Sequence, residues 1–131
     1  MKDYEKIVKR VQCLYLNDEQ YSVMIEKLSS YNLIDKDDTN LSLAIGFNLQ
    51  GIPYIFCRDE ISNYPVEYQT IIVAHEAAHA IALISDEEEA DRWALDALVE
   101  EAQDILKSLW KSRHGHEYKE KENENDILFT S

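Results

Sequence analysis

Residues 73–94 read "VAHEAAHAIALISDEEEADRWA", with two histidines and a glutamate inside five positions and a run of carboxylates shortly after. A helix advances about 100° per residue, so side chains four apart leave the same face one turn apart. His75 and His79 can therefore offer imidazole nitrogens to one ion at about 2.0 to 2.1 Å. Glu76 is rotated toward the same cleft, where its carboxylate can hold a water rather than bind the ion. That is the chemistry of the HExxH spacing: two neutral imidazoles leave a zinc ion strongly Lewis acidic, and the glutamate takes the proton of the water. Ala77 and Ala78 are small, leaving room beside the ion at no cost in helix propensity. The competing reading is an acidic helix in which histidine falls twice. Burying two histidines and a glutamate without an ion or other partner is costly, which favours the metal.

Two histidines do not complete such a site, so a third protein ligand is required. Position 82 is Ala and position 85 is Ser, so no histidine follows at the HExxHxxGxxH offset. The acidic run must supply the ligand. Glu87 and Asp91 are four apart and share a helix face; one can bind the ion while the other accepts the second N–H of a ligand histidine. A single straight helix would carry Glu87 about 12 Å past His79 along the axis, out of reach of the ion. The chain is therefore expected to turn sharply near Ser85, although no glycine is present to ease the turn. If the turn falls differently, Glu88 replaces Glu87. The other acids of the region, Asp86, Glu89, Asp96, Glu100, Glu101 and Asp104, read as a solvated face.

Outward from the motif, Pro65 sits at a favourable first-turn position and opens a helical stretch predicted to reach about Ile84, with the motif in mid-helix. Ser85 reads as the cap of the next helix, with Glu88 completing a capping box, and apolar residues from Ala90 to Leu109 carry that helix to about Lys111. Upstream, Tyr4, Ile7, Val8, Val11 and Leu14 recur at spacings of three and four and predict a helix over about 2–15. Asn17 caps a second helix that ends near Tyr31, and "DKDDTN" (35–40) is a polar break. Residues 41–47 and 52–57 are short β-rich runs, predicted to form a hairpin or neighbouring strands, with Pro53 at a strand start or on an edge. The class is therefore α+β: two N-terminal helices, a short antiparallel or mixed sheet, the motif helix and a following glutamate-bearing helix. Residues 1–111 are expected to form one domain and 112–131 a charged, mobile tail, with His114 and His116 passive. Tyr64 and Tyr68 read as packing residues, one of which could alternatively polarise a substrate carbonyl. Arg92 reads as the partner of Asp91 in a surface ion pair.

The chain has 131 residues, with 26 acidic against 13 basic side chains and a formal net charge of −13. Such a field repels nucleic-acid phosphates and anionic membranes, so neither is an expected partner. No stretch approaches the roughly 18 apolar residues of a membrane span. Cys13 and Cys57 belong to no CxxC pair and do not read as a disulfide framework; a reducing, cytoplasmic setting is the simpler expectation.

The segments "IIVAHEAAHAIA" and "EEEADRWA" resemble the HExxH and ExxxD elements of gluzincin metallopeptidases, and "GFNLQGIPYIFCRDEIS" resembles the strand region ahead of the active-site helix in the ImmA/IrrE-type branch. The resemblance spans roughly residues 43–98 and implies a small zincin-like domain. It implies His75, His79 and Glu87 as zinc ligands, Glu76 as general base and Asp91 as the residue supporting a ligand histidine. Ala78 stands where that branch usually has Gly, and Trp93 where it usually has Phe. The expected function is a zinc-dependent metallopeptidase acting on a protein or peptide, in this branch typically one regulatory partner, with the peptide laid along the edge of the "IPYIFC" strand. A terminal segment such as "DILFTS" could cover the cleft and keep the enzyme dormant. Two other classes stay open: an acidic binding protein, acting as an antitoxin or nucleic-acid mimic on a basic partner, and an inactive zincin-fold scaffold.

Overall fold

The computed structural model describes residues 4–35 and 42–120. Within them the order is α1 (Tyr4–Arg10), β1 (Gln12–Leu16), α2 (Asp18–Ser30), β2 (Ala44–Leu49), β3 (Ile52–Arg58), a 3₁₀ turn (Asp59–Asn63), α3 (Val66–Ala80), α4 (Glu87–Leu95), α5 (Glu100–Ser108) and α6 (Trp110–His114). The three strands form one mixed sheet in the order β1-β3-β2, with β1 parallel and β2 antiparallel to β3. The architecture is thus a small α+β domain. Residues 36–40 of the expected polar break and the segment "DILFTS", with the covering role expected of it, lie outside the described residues.

Alternation along the strands divides the core in two. Ile45, Phe47 and Phe56 point to one face and pack with Tyr21, Ile25 and Leu28 of α2. Ala44, Ile55 and Cys57 point to the other and join Ile7, Ala74, Ala77, Leu106 and Trp110 from the remaining helices. Successive strand residues face opposite sides of a sheet, so these short runs serve both layers only because nearly every position is apolar. The hairpin turns through Gln50 and Gly51, both at positive φ (53° and 87°), as a two-residue hairpin turn of this kind requires. Pro53 lies at the start of β3, one residue before pairing with β1 begins at Tyr54, so its missing N–H costs no ladder bond.

Three helical expectations are corrected. The first helix ends at Arg10, and Gln12–Leu16 is a strand: its pairing with β3 outweighs a helical pattern that extends only as far as Leu14. The motif helix stops at Ala80 rather than near Ile84, so the motif occupies its last two turns rather than its middle. The helix expected to run to Lys111 is three pieces, broken at 96–99 and at Leu109. The Asn17 cap stands as expected, with Asn17 and Gln20 forming a reciprocal capping box.

Candidate metal centre

Two close contacts fix α3 against the sheet. Gly46 of β2 lies directly on the motif helix: a Cβ there would run into the backbone carbonyl oxygen of Glu76. Asn48 of β2 donates its side-chain N–H to the Ala80 carbonyl at 3.0 Å, satisfying one of the acceptors left open at the end of α3. The chain then reverses. Leu83 takes φ +58°, a left-handed position after a helix end that is usually held by glycine, and the N–H of Ile84 returns to the carbonyl of Ala78, six residues back, at 3.2 Å. Asp86, not Ser85, caps the next helix, accepting from the Glu89 N–H at 2.9 Å. The sharp turn expected near Ser85 therefore exists, centred two residues earlier.

This reversal brings Glu87 back over the motif. Its Oε2 lies 2.9 Å from His75 Nε2 and its Oε1 3.3 Å from His79 Nε2, while the two Nε2 atoms are 3.2 Å apart. One donor atom from each of His75, His79 and Glu87 falls within 4.8 Å of the others, so the group could hold a metal ion. Both imidazoles are held from behind. The Ile84 carbonyl has only lone pairs to offer, so His79 carries its proton on Nδ1, donates it at 2.5 Å and keeps Nε2 for the ion. His75 Nδ1 donates to Asp91 Oδ1 at 2.6 Å. Fixing the tautomer through the second nitrogen is what metal-binding histidines require. Glu88 faces elsewhere, pairing with Arg92 at 3.1 Å and His116 at 2.8 Å.

The electrostatics follow from the crowding. Burial disfavours the imidazolium of His75, but hydrogen bonds to Asp91 and Glu87 outweigh it and raise its pKa to about 9. Hydrogen bonds from His75 and His79 hold the Glu87 carboxyl well below the usual carboxylate range. Burial pushes the Glu76 carboxyl up to about 7, against the pull of both histidines. The Glu76 carboxylate accepts from the backbone N–H of Gly46, but its Oε2 is buried with no hydrogen-bond partner among the described residues. A buried carboxylate oxygen left without a partner is costly in a finished fold, and it fits a place where a water or substrate atom completes the site. Glu76, His79 and Glu87 line a cleft of about 810 Å³ whose other walls include Leu33, Ile34, Phe47 and Leu83. Tyr64 and Tyr68 do not line it and are more than a third exposed.

Asp91 is the centre of a second constellation. Fully buried, it accepts from Arg113 Nε at 2.7 Å, Arg113 Nη2 at 3.0 Å and His114 Nε2 at 2.6 Å as well as from His75. Burial opposes its charge, yet the bonds from His75 and Arg113 hold its pKa at about 2. Arg92 is not its partner; that side chain pairs with Glu88, lies over the Trp110 ring and reaches the Lys119 carbonyl. Residues 113–120, read from the sequence as part of a mobile tail, lie against α4, with Tyr118 edge-on to Trp110 at 5.0 Å between centroids. His114, expected to be passive, is thus a structural donor. The available signal was "KSRHG": basic residues followed by glycine mark a helix end, and Gly115 takes φ +82° as the left-handed cap of α6. Nothing in the sequence pairs that helix with Asp91.

Among the described residues no helix is long and apolar enough to cross a membrane. No family model, curated protein or solved structure matches this chain.

Proposed function

We propose that this chain is a small zinc-dependent metallopeptidase of gluzincin type, similar to the ImmA/IrrE branch, that hydrolyses a peptide bond in a protein substrate. The observation that carries the reading is the convergence of His75, His79 and Glu87 beside the partnerless Glu76 Oε2. The donor set, two imidazole nitrogens and one carboxylate, suits zinc, with His75, His79 and Glu87 as its holders. When bound there, zinc supplies the Lewis acidity that polarises a peptide carbonyl and acidifies a water. Glu76 takes the proton of the attacking water and returns it to the leaving amine nitrogen. Asp91 and the Ile84 carbonyl keep the two imidazoles in the orientation that presents Nε2.

The strand expected to receive the peptide needs correcting. "IPYIFC" is β3, the centre of the sheet, paired on both sides; of the two edge strands, β1 and β2, it is β2, "AIGFNL", whose residues 44–48 line the cleft. An extended substrate added to that edge would lie beside Glu76 and exchange main-chain hydrogen bonds with β2. Metal analysis of purified protein tests the reading. About one zinc per chain, lost in His75→Ala and reduced in Glu87→Gln, supports it. A chain that takes up no zinc, and whose behaviour is indifferent to chelators, would overturn it in favour of an acidic binding protein.

A further inference from the structure

Cys13 and Cys57, 44 residues apart in sequence, meet in the sheet. Cys13 of β1 is in register with Ile55 and Tyr15 with Cys57, so the thiols are diagonal neighbours on one face of a parallel pair. Their sulfurs are 4.0 Å apart. Cys57 is completely buried in the central strand, whereas Cys13 is partly exposed on the edge strand. We propose that Cys13 and Cys57 form a redox-active dithiol in which Cys13 meets a peroxide and Cys57 resolves it into an intrachain disulfide. The inference rests on sheet register and thiol contact and does not depend on the metal centre.

The environments of the two sulfurs differ in the sense the chemistry needs. The hydrogen bond from Cys57 holds the Cys13 thiol down at about 7 against its partial burial, and the Tyr15 hydroxyl adds a second. The same contact, together with burial, pushes the Cys57 thiol up. Thiolate character and access concentrate on Cys13, and peroxide reacts with accessible thiolates. In the first step the Cys13 thiolate attacks one peroxide oxygen. The O–O bond breaks, hydroxide leaves and is protonated to water, and Cys13 becomes a sulfenic acid. Cys57 sulfur then attacks Cys13 sulfur; the S–O bond breaks, and the departing hydroxide with the Cys57 proton forms a second water. Two thiols and one peroxide yield one disulfide and two waters, the sulfurs giving two electrons and the peroxide accepting them. Closing the bond requires the sulfurs to approach by about 2 Å, and because diagonal partners in a sheet lie near the upper limit of Cα separation for a disulfide, the edge strand β1 shifts along with the side chains. The product ties the edge strand β1 to the sheet centre and encloses α2 and β2 in a covalent ring.

The test treats the reduced, full-length protein with a small excess of hydrogen peroxide and follows intact mass and non-reducing peptide maps. The expected product loses about 2 Da, loses both alkylatable thiols together, contains a cross-linked Cys13–Cys57 peptide and reverts with dithiothreitol. In Cys57→Ser, the sulfenic acid should persist at Cys13 and be captured by dimedone, with circular dichroism showing that the variant is folded. Wild-type protein that gains oxygen at Cys13 without cross-linking, cross-links between chains, or keeps both thiols free while its methionines oxidise would overturn the proposal.

Discussion

Asp91 is a buried carboxylate with four hydrogen bonds from three side chains, so its neighbours decide whether His75 is aimed. Removing one partner of a buried charge leaves the other uncompensated, and outer-shell changes commonly lower metal affinity about 10- to 100-fold. We expect Arg113→Ala to weaken zinc binding in that range, with Arg113→Lys intermediate because an ammonium cannot reproduce the guanidinium fork. Competition titration with a chromophoric chelator measures it; unchanged affinity in Arg113→Ala would mean that His75 is aimed without the Arg113 contact. Glu76→Gln should behave in the opposite way, keeping the metal and losing about 10²- to 10⁴-fold in peptide hydrolysis. Protons add a third expectation. In the metal-free fold the His75 pKa is raised from 6.5 to about 9, so its contribution to stability is fully present below 6.5 and is lost as pH rises through 9. Metal binding needs the neutral imidazole, so apparent zinc affinity should climb about tenfold per pH unit between pH 7 and 9 and flatten above that. Calorimetric titration across that range checks the sign.

At the scale of elements, the turn between α3 and α4 decides whether there is a site at all. Leu83 adopts a left-handed conformation that costs an ordinary residue roughly 1 kcal/mol, and at 68% exposure its side chain recovers little by burial. Leu83→Gly should therefore raise stability by up to about 1 kcal/mol with metal binding retained. Leu83→Val, with branching at Cβ, should lower stability and loosen the site together. Urea melts with parallel metal titrations separate these outcomes. The legibility of the elements divides along the same line. The Asn17 cap and the HExxH face depend on residues within a few positions and could be read directly, and the hairpin could be read as one of two alternatives, though its two-residue turn could not. β1 could not, because its strand state comes from pairing with residues 54–58 and not from its own pattern. Nor could the left-handed leucine, for which local chemistry offers no cue.

The whole molecule carries a net charge of −13, and one of its carboxylates, Asp91, is fully buried behind the histidine and glutamate cluster. A bound cation relieves part of that repulsion, and anything that binds only the folded state stabilises it by mass action, about 2.7 kcal/mol at a free concentration of 100 Kd. Chelation should accordingly lower the melting temperature of the zinc-loaded chain by several degrees, with little effect on His75→Ala, whose melt should already resemble the chelated form. Differential scanning calorimetry with and without chelator reads both. The sequence by itself determined the chemistry on offer: the face shared by His75 and His79, the proton acceptor beside them, and Glu87 with Asp91 one turn apart on the next helix. Those facts depend on helix periodicity, which acts over a few residues. Only the tertiary structure decided that Glu87 rather than Glu88 meets the histidines, that Arg113 and His114 close on Asp91, that β2 rather than β3 edges the cleft, and that Cys13 touches Cys57. These are contacts between residues 8 to 44 positions apart, set by a chain reversal and by strand order, and no local pattern encodes where such a reversal points.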